Sequence, residues 1–211
     1  EKALEDLGRE CDAVIRDSAA AVFVITAVSQ SGRLDTLFVL TAHVRMVWRI
    51  ASIYAQRPAL RELLHLYANV AATAFVAGEL DEAEIGEQVE PILSSALGAV
   101  SLSVPGMQAA ASIVITSILT GAANAFLTLR VGIIARRWCG SLVAADRRAL
   151  RRSATAEAAK LLGQIVGNGT ARISRALWAA SKGKVGGAFS GLTGTARDIK
   201  DSLLALLRIK K

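Results

Sequence analysis

The spacing of apolar and polar positions is helical along nearly the whole chain. Leu4, Leu7, Cys11, Val14 and Ile15 recur at helical intervals inside a charged opening segment, residues 1–17. From Ser18 to Gly32 charge disappears for fifteen residues. That is too short to cross a bilayer, so the run predicts a buried helix or a re-entrant segment. Ser31-Gly32 interrupts it, and Asp35-Thr36 can cap a helix over about 35–55 whose Leu37, Leu40, Val44, Val47 and Ile50 share one face. Arg57-Pro58 closes that helix and opens the next. Residues 58–77 carry a second stripe through Leu60, Leu63, Leu64, Tyr67, Val70, Ala71 and Ala74, ending at Gly78. Asp81 and Glu84 then form a capping-box pair ahead of a short helix that leads to Pro91.

The next stretch organises the pattern. Pro91 to Leu129 holds 39 residues without an Asp, Glu, Lys, Arg or His. Its second part, Met107 to Leu129, is 23 residues long and as a helix would reach about 34 Å, beyond the roughly 30 Å of a bilayer's hydrocarbon. Pro105-Gly106 separates it from a shorter first arm, which predicts a helical hairpin turning there. Such a stretch is satisfied by lipid or by a protein interior that encloses it. Within the long arm, Ser117, Gly121 and Ala125 stand four apart, the small-residue spacing that lets two helices approach closely, in one subunit's own hairpin or in an oligomer. Asn124 on the same helix needs a hydrogen-bonding partner or a cavity.

After the hairpin the helix is expected to continue to Trp138-Cys139-Gly140, and a basic helix follows over about 145–166. Gly167-Asn168-Gly169 predicts a helix-ending turn. Glycines then punctuate short amphipathic pieces to the end of the chain. Few β-branched alternations occur anywhere, so essentially no sheet is expected. The pattern predicts an all-α, multi-helix bundle with a central hydrophobic hairpin and a basic amphipathic tail, divided into 1–142 and 143–211.

Charge sharpens this division. Residues 1–129 carry 8 basic and 14 acidic side chains, a net −6, whereas residues 130–211 carry 17 and 4, a net +13. Arg147, Arg148, Arg151 and Arg152 fall within six residues. Basic residues beside a hydrophobic segment mark the cytoplasmic side and attract anionic lipid head groups. A basic region can also follow nucleic-acid phosphates, but no aromatic–basic stacking pattern or reading motif accompanies it, so nucleic acid is disfavoured. Trp48, Trp138 and Trp178 each have an Arg within three residues, a pairing suited to a membrane interface.

Candidate chemistry changes little. The two histidines, His43 and His65, lie on different expected helices, so no metal site is expected. Cys11 and Cys139 stand 128 residues apart without a CxxC, which fits a reducing compartment. GxSxG, HExxH and P-loop sequences are absent. No catalytic or cofactor-binding residue is expected. Opening on Glu rather than Met, the chain reads as part of a longer protein.

Four segments carry a resemblance: RDSAA at Arg16–Ala20, RLDTLFVLTAHVRMVWRIASIYAQRP at Arg33–Pro58, AFVAGEL at Ala74–Leu80 and LTLRVGIIARRWC at Leu127–Cys139. In this order they resemble the helical domain of unknown function of the YcjF-like bacterial inner-membrane proteins, over about 16–142. The resemblance implies a bacterial integral or tightly associated inner-membrane protein, and the positive-inside argument above puts its basic C-terminal region in the cytoplasm. It also implies a P-loop GTPase as partner, since such proteins are often encoded beside one or fused to one. No family residue is established as catalytic. Two departures are the lack of an upstream spanning region and the long Gly/Arg tail. Three readings stand: a non-enzymatic membrane component that, by the resemblance, serves a GTPase or stress-response system; a soluble all-α interaction module or homo-oligomer; and a pore lined by Asn124, Thr116 and Thr120.

Overall fold

A computed structural model of the chain describes residues 2–28, 32–55, 59–75, 89–95, 98, 108–141 and 146–182. The helices are α1 (Lys2–Val28), α2 (Gly32–Tyr54), α3 (Leu60–Phe75), α4 (residues 89–95), α5 (Gln108–Gly140) and α6 (Arg147–Lys182), with no strand among the described residues. The fold is all-α. Pro105, Gly106 and the capping pair Asp81/Glu84 lie outside the described residues, as do Arg57-Pro58 and the glycine-rich pieces beyond 182.

Helix α5 is the axis. It has 33 residues, about 50 Å at the helical rise, and contacts α1, α2, α3 and α6. Directions follow from pairs of touching residues. Gly121 meets Phe23, Gly132 meets Ile15 and Arg136 bonds Asp12, so α1 runs antiparallel to α5. Met46 meets Gly132 and Tyr54 meets Gly140, so α2 runs parallel to it. Gly169 and Gly121 both meet Phe23 while Glu157 meets Arg136, so α6 is antiparallel to α5 as well. Every residue from Thr128 to Ala135 is buried, which means α5 is enclosed on all sides there. The enclosed segment therefore straddles Leu129 and ends in the charged sequence beyond it. Thr116 and Thr120, inside the uncharged run, are exposed.

Glycine sets how closely these helices approach. A Cβ on Gly121 would stand 2.8 Å from the Phe23 carbonyl oxygen and 3.0 Å from Ala27 Cβ, and one on Gly132 would stand 2.8 Å from Ile15 Cγ1. Gly169 on α6 likewise leaves room for the Phe23 ring. Phe23 is fully buried between two glycine notches on neighbouring helices. Residues α1, α5 and α6 bring together become the main hydrophobic cluster, with Ile15, Ile118, Leu129, Ile133 and Leu162 among its fully buried members.

Several expectations change. The charged opening and the following uncharged run form one helix, α1, because Cys11, Val14, Ala19, Val22 and Phe23 continue a single buried face. Helix α6 passes through Gly167 and Gly169 without a turn, since Gly169 admits Phe23 and packing outweighs poor helix propensity. Packing is shared by residues on both sides of position 142. Leu150, Ala154, Ala158, Leu162 and Val166 belong to the same cluster as α1 and α5. The expected rows of α2 and α3 are only partly buried. On α2, Val47 and Ile50 join the core while Leu37, Leu40 and Val44 are exposed, and Val39, His43 and Met46 are buried as well. On α3, Val70, Thr73 and Ala74 are buried while Leu60 and Leu64 are exposed.

Candidate functional site

Two features could carry function, and the first is a polar node at the end of α5. Arg136 bonds Asp12 of α1 with one guanidinium nitrogen and Glu157 Oε1 of α6 with another, the latter at 2.8 Å. Arg137 donates to Glu157 Oε2 at 2.8 Å and to the Ser153 hydroxyl. Arg137, in the last turn of α5, also lies at the negative end of the helix dipole. Two cations and two anions are thus matched across three helices, which makes the node a clasp. Beside it lies a shallow groove of about 580 Å³ lined in part by Gly8, Tyr54, Arg136, Arg137, Gly140 and Ser153. Cys11, next to the node, is buried, and desolvation pushes its thiol up to about 11. A protonated, enclosed thiol is a packing residue at neutral pH. Among the described residues no three His, Cys, Asp or Glu side chains are grouped to hold a metal ion.

His43 is a satisfied core residue. The Thr128 hydroxyl gives its proton to the Asn124 carbonyl at 2.7 Å, which leaves its lone pair to accept from His43 Nε2–H at 2.9 Å. The ring is therefore tied to α5 as the tautomer protonated at Nε2. Asn124 itself is half-buried.

The residues singled out by sequence are dispersed. Pro91 is exposed on α4, whose Val89, Ile92 and Leu93 pack on the core. Ser117 is half-buried, and Gly121 and Ala125 are buried, with Gly121 against α1 of the same chain. The arginine cluster opens α6, where Asp146 caps the helix by accepting from the Arg148 amide at 3.1 Å. Arg147, Arg148 and Arg152 are exposed and Arg151 is half-buried, so the four do not form one uniform surface. Arg147 reaches the Asn69 side chain of α3 at 3.4 Å.

The second feature is the outward side of α2, which carries the first part of the row read from the sequence. Leu37 and Leu40 are 62% and 59% exposed, and Val44 and Trp48 continue the same row. Thr41, Arg45 and Arg49, all exposed, border it on one side. Among the described residues, two helices contain stretches long and apolar enough to cross a bilayer by length and composition, Thr36–Tyr54 in α2 and Ile115–Gly140 in α5. The first is 33% buried within the bundle and the second 72%. The missed signal was the pairing of apolar rows on both sides of α2, one bordered by Arg45 and Arg49 and the other holding His43.

Comparison with known proteins adds the family. Residues 1–164 match the model for the Domain of unknown function (DUF697). A UPF0283 membrane protein of Rhizobium johnstonii is 29% identical over 150 residues, 71% of this chain and 36% of that protein. One from Sinorhizobium medicae is 31% identical over 137 residues, 64% of this chain and 34% of the relative. A third, from Bradyrhizobium diazoefficiens, is 30% identical over 101 residues, 45% and 29% of the two chains. The chain thus spans about a third of the length of the curated relatives it matches. No solved structure matches it. With the family model covering the helices that build the core, the chain belongs to the DUF697 family, a domain of unknown function.

Proposed function

We propose that this chain is a membrane-associated, non-enzymatic helical domain of the bacterial inner membrane, acting as partner or effector of a P-loop GTPase in an envelope or stress system. The observation that carries the membrane reading is the presence of two span-length apolar helices in a chain whose relatives are named membrane proteins. The non-enzymatic reading rests on His43, Arg136 and Arg137, the polar side chains best placed for chemistry, being engaged in helix-to-helix bonds. The GTPase partner rests on the resemblance to YcjF-like proteins. The excess of basic residues after Leu129 supports a cytoplasmic basic region.

Cell fractionation tests the reading. The protein is expected in the membrane pellet and to remain there after a high-salt wash, because apolar contact is not screened by ions. Recovery in the soluble fraction before any wash would overturn it. A second reading, a soluble all-α interaction module, draws support from the enclosure of α5 by its own chain.

A further inference from the structure

We propose that the outer face of α2 is a lipid-contact surface that lies along the plane of an anionic bilayer, with Leu37, Leu40, Val44 and Trp48 below the head groups and Arg45 and Arg49 at phosphate level. This rests on the membrane-associated reading above and assigns the contact to one face. Helix α5 has the more apolar sequence, but its surface is taken up by α1, α2, α3 and α6. Helix α2 keeps an apolar row open to the outside. The row runs from position 37 to position 48, about 16 Å at the helical rise. On α3, Leu60 and Leu64 are exposed as well. The Tyr67 hydroxyl, on the same helical side as those leucines, donates to the Val44 carbonyl and holds α3 beside the row.

Lying in the plane fits the charges better than crossing. A transmembrane α2 would carry Arg45 and Arg49 into hydrocarbon, whereas a helix in the head-group boundary keeps them at phosphates while its apolar row inserts. Trp48 at the border between the two rows suits the same depth. The charge balance also selects the occupant. Across α2 and α3 the chain carries Arg33, Arg45, Arg49 and Arg61 against Asp35 and Glu62, a net +2, and Glu62 accepts from the Ala59 amide. A cationic border complements anionic head groups and repels a second copy of the same face.

Co-sedimentation of the full 211-residue chain with vesicles of phosphatidylcholine, alone or mixed with phosphatidylglycerol, tests this. The parent should bind the mixed vesicles. The Leu40→Gln/Val44→Gln variant should bind them at least about tenfold more weakly, because two inserted apolar side chains are lost. Arg45→Gln/Arg49→Gln should lose the preference for phosphatidylglycerol. Both pairs are exposed, so circular dichroism and the melting temperature should match the parent. A parent that binds and a Leu40→Gln/Val44→Gln variant that binds equally would place the lipid contact elsewhere and leave the membrane reading standing. A parent that ignores both vesicles removes the proposal. If light scattering then shows a dimer dissolved by the same variant, the face belongs to a second copy. Quenching of tryptophan fluorescence by brominated acyl chains gives an independent measure. It should fall in Trp48→Phe, and undiminished quenching there would count against the assignment.

Discussion

Phe23 shows how single residues set this packing. Its ring and backbone occupy space that exists because positions 121 and 169 lack a Cβ. Gly121→Ala is expected to lower stability by about 1–3 kcal/mol through overpacking against a backbone atom that cannot give way. Gly163→Ala should do the opposite. Nothing lies within 4 Å of its added methyl, and replacing glycine inside a helix contributes about 0.5–1 kcal/mol. Urea unfolding of the two variants checks the pair, and equal losses would contradict the notch. Cys11 makes a second residue-scale prediction. Its thiol titrates near 11 when folded, against 9.0 for the unperturbed group. Its contribution to stability is therefore complete below about pH 9 and is lost as pH rises toward 11, because only the unfolded chain releases the proton in that window. At pH 8, iodoacetamide should modify Cys11 only after unfolding.

At the scale of elements, the Arg136–Asp12–Glu157–Arg137 clasp holds one end of α1, α5 and α6 together while Phe23 and the glycines fix the other. The paired side chains are 17–33% exposed, so solvent screens part of their attraction. Double-mutant cycles joining Arg136→Gln with Asp12→Asn, and Arg136→Gln with Glu157→Gln, should each give a coupling on the order of 1 kcal/mol. Additive losses would reduce the clasp to unconnected surface charges. Helix α2 illustrates the opposite case, an element whose composition left its orientation open. Both its sides are apolar, and the side that turned inward carries His43, whose bond to Thr128 anchors it on α5.

For the whole molecule, the core does not stop where the charge changes. A chain ending after residue 142 would lack Leu150, Ala154, Leu162 and Val166 and would leave one side of α5 and α1 open to water. Such a truncation is expected to lose its cooperative thermal transition and to bind a hydrophobic dye. A cooperative melt like that of the full chain would show residues 147–166 to be dispensable. The family match through residue 164 falls close to the last buried members of α6.

Periodicity and the scarcity of proline determined that the chain is helical, and the long uncharged run marked α5 as the element others depend on. These are local properties, set by backbone geometry and side-chain spacing within a few turns. The quoted segments also carried the family resemblance, because short ordered motifs survive without knowledge of contacts. Tertiary structure alone decided which part of α2 faced inward, since Leu37 and Leu40 are as apolar as Val39 and Met46 and only α5's position distinguishes them. It alone decided that Gly169 continues a helix, because the reason lies in Phe23, 146 positions away along the chain. The clasp was hidden for the same reason: Asp12, Arg136 and Glu157 each read as a solvated charge until three helices bring them together.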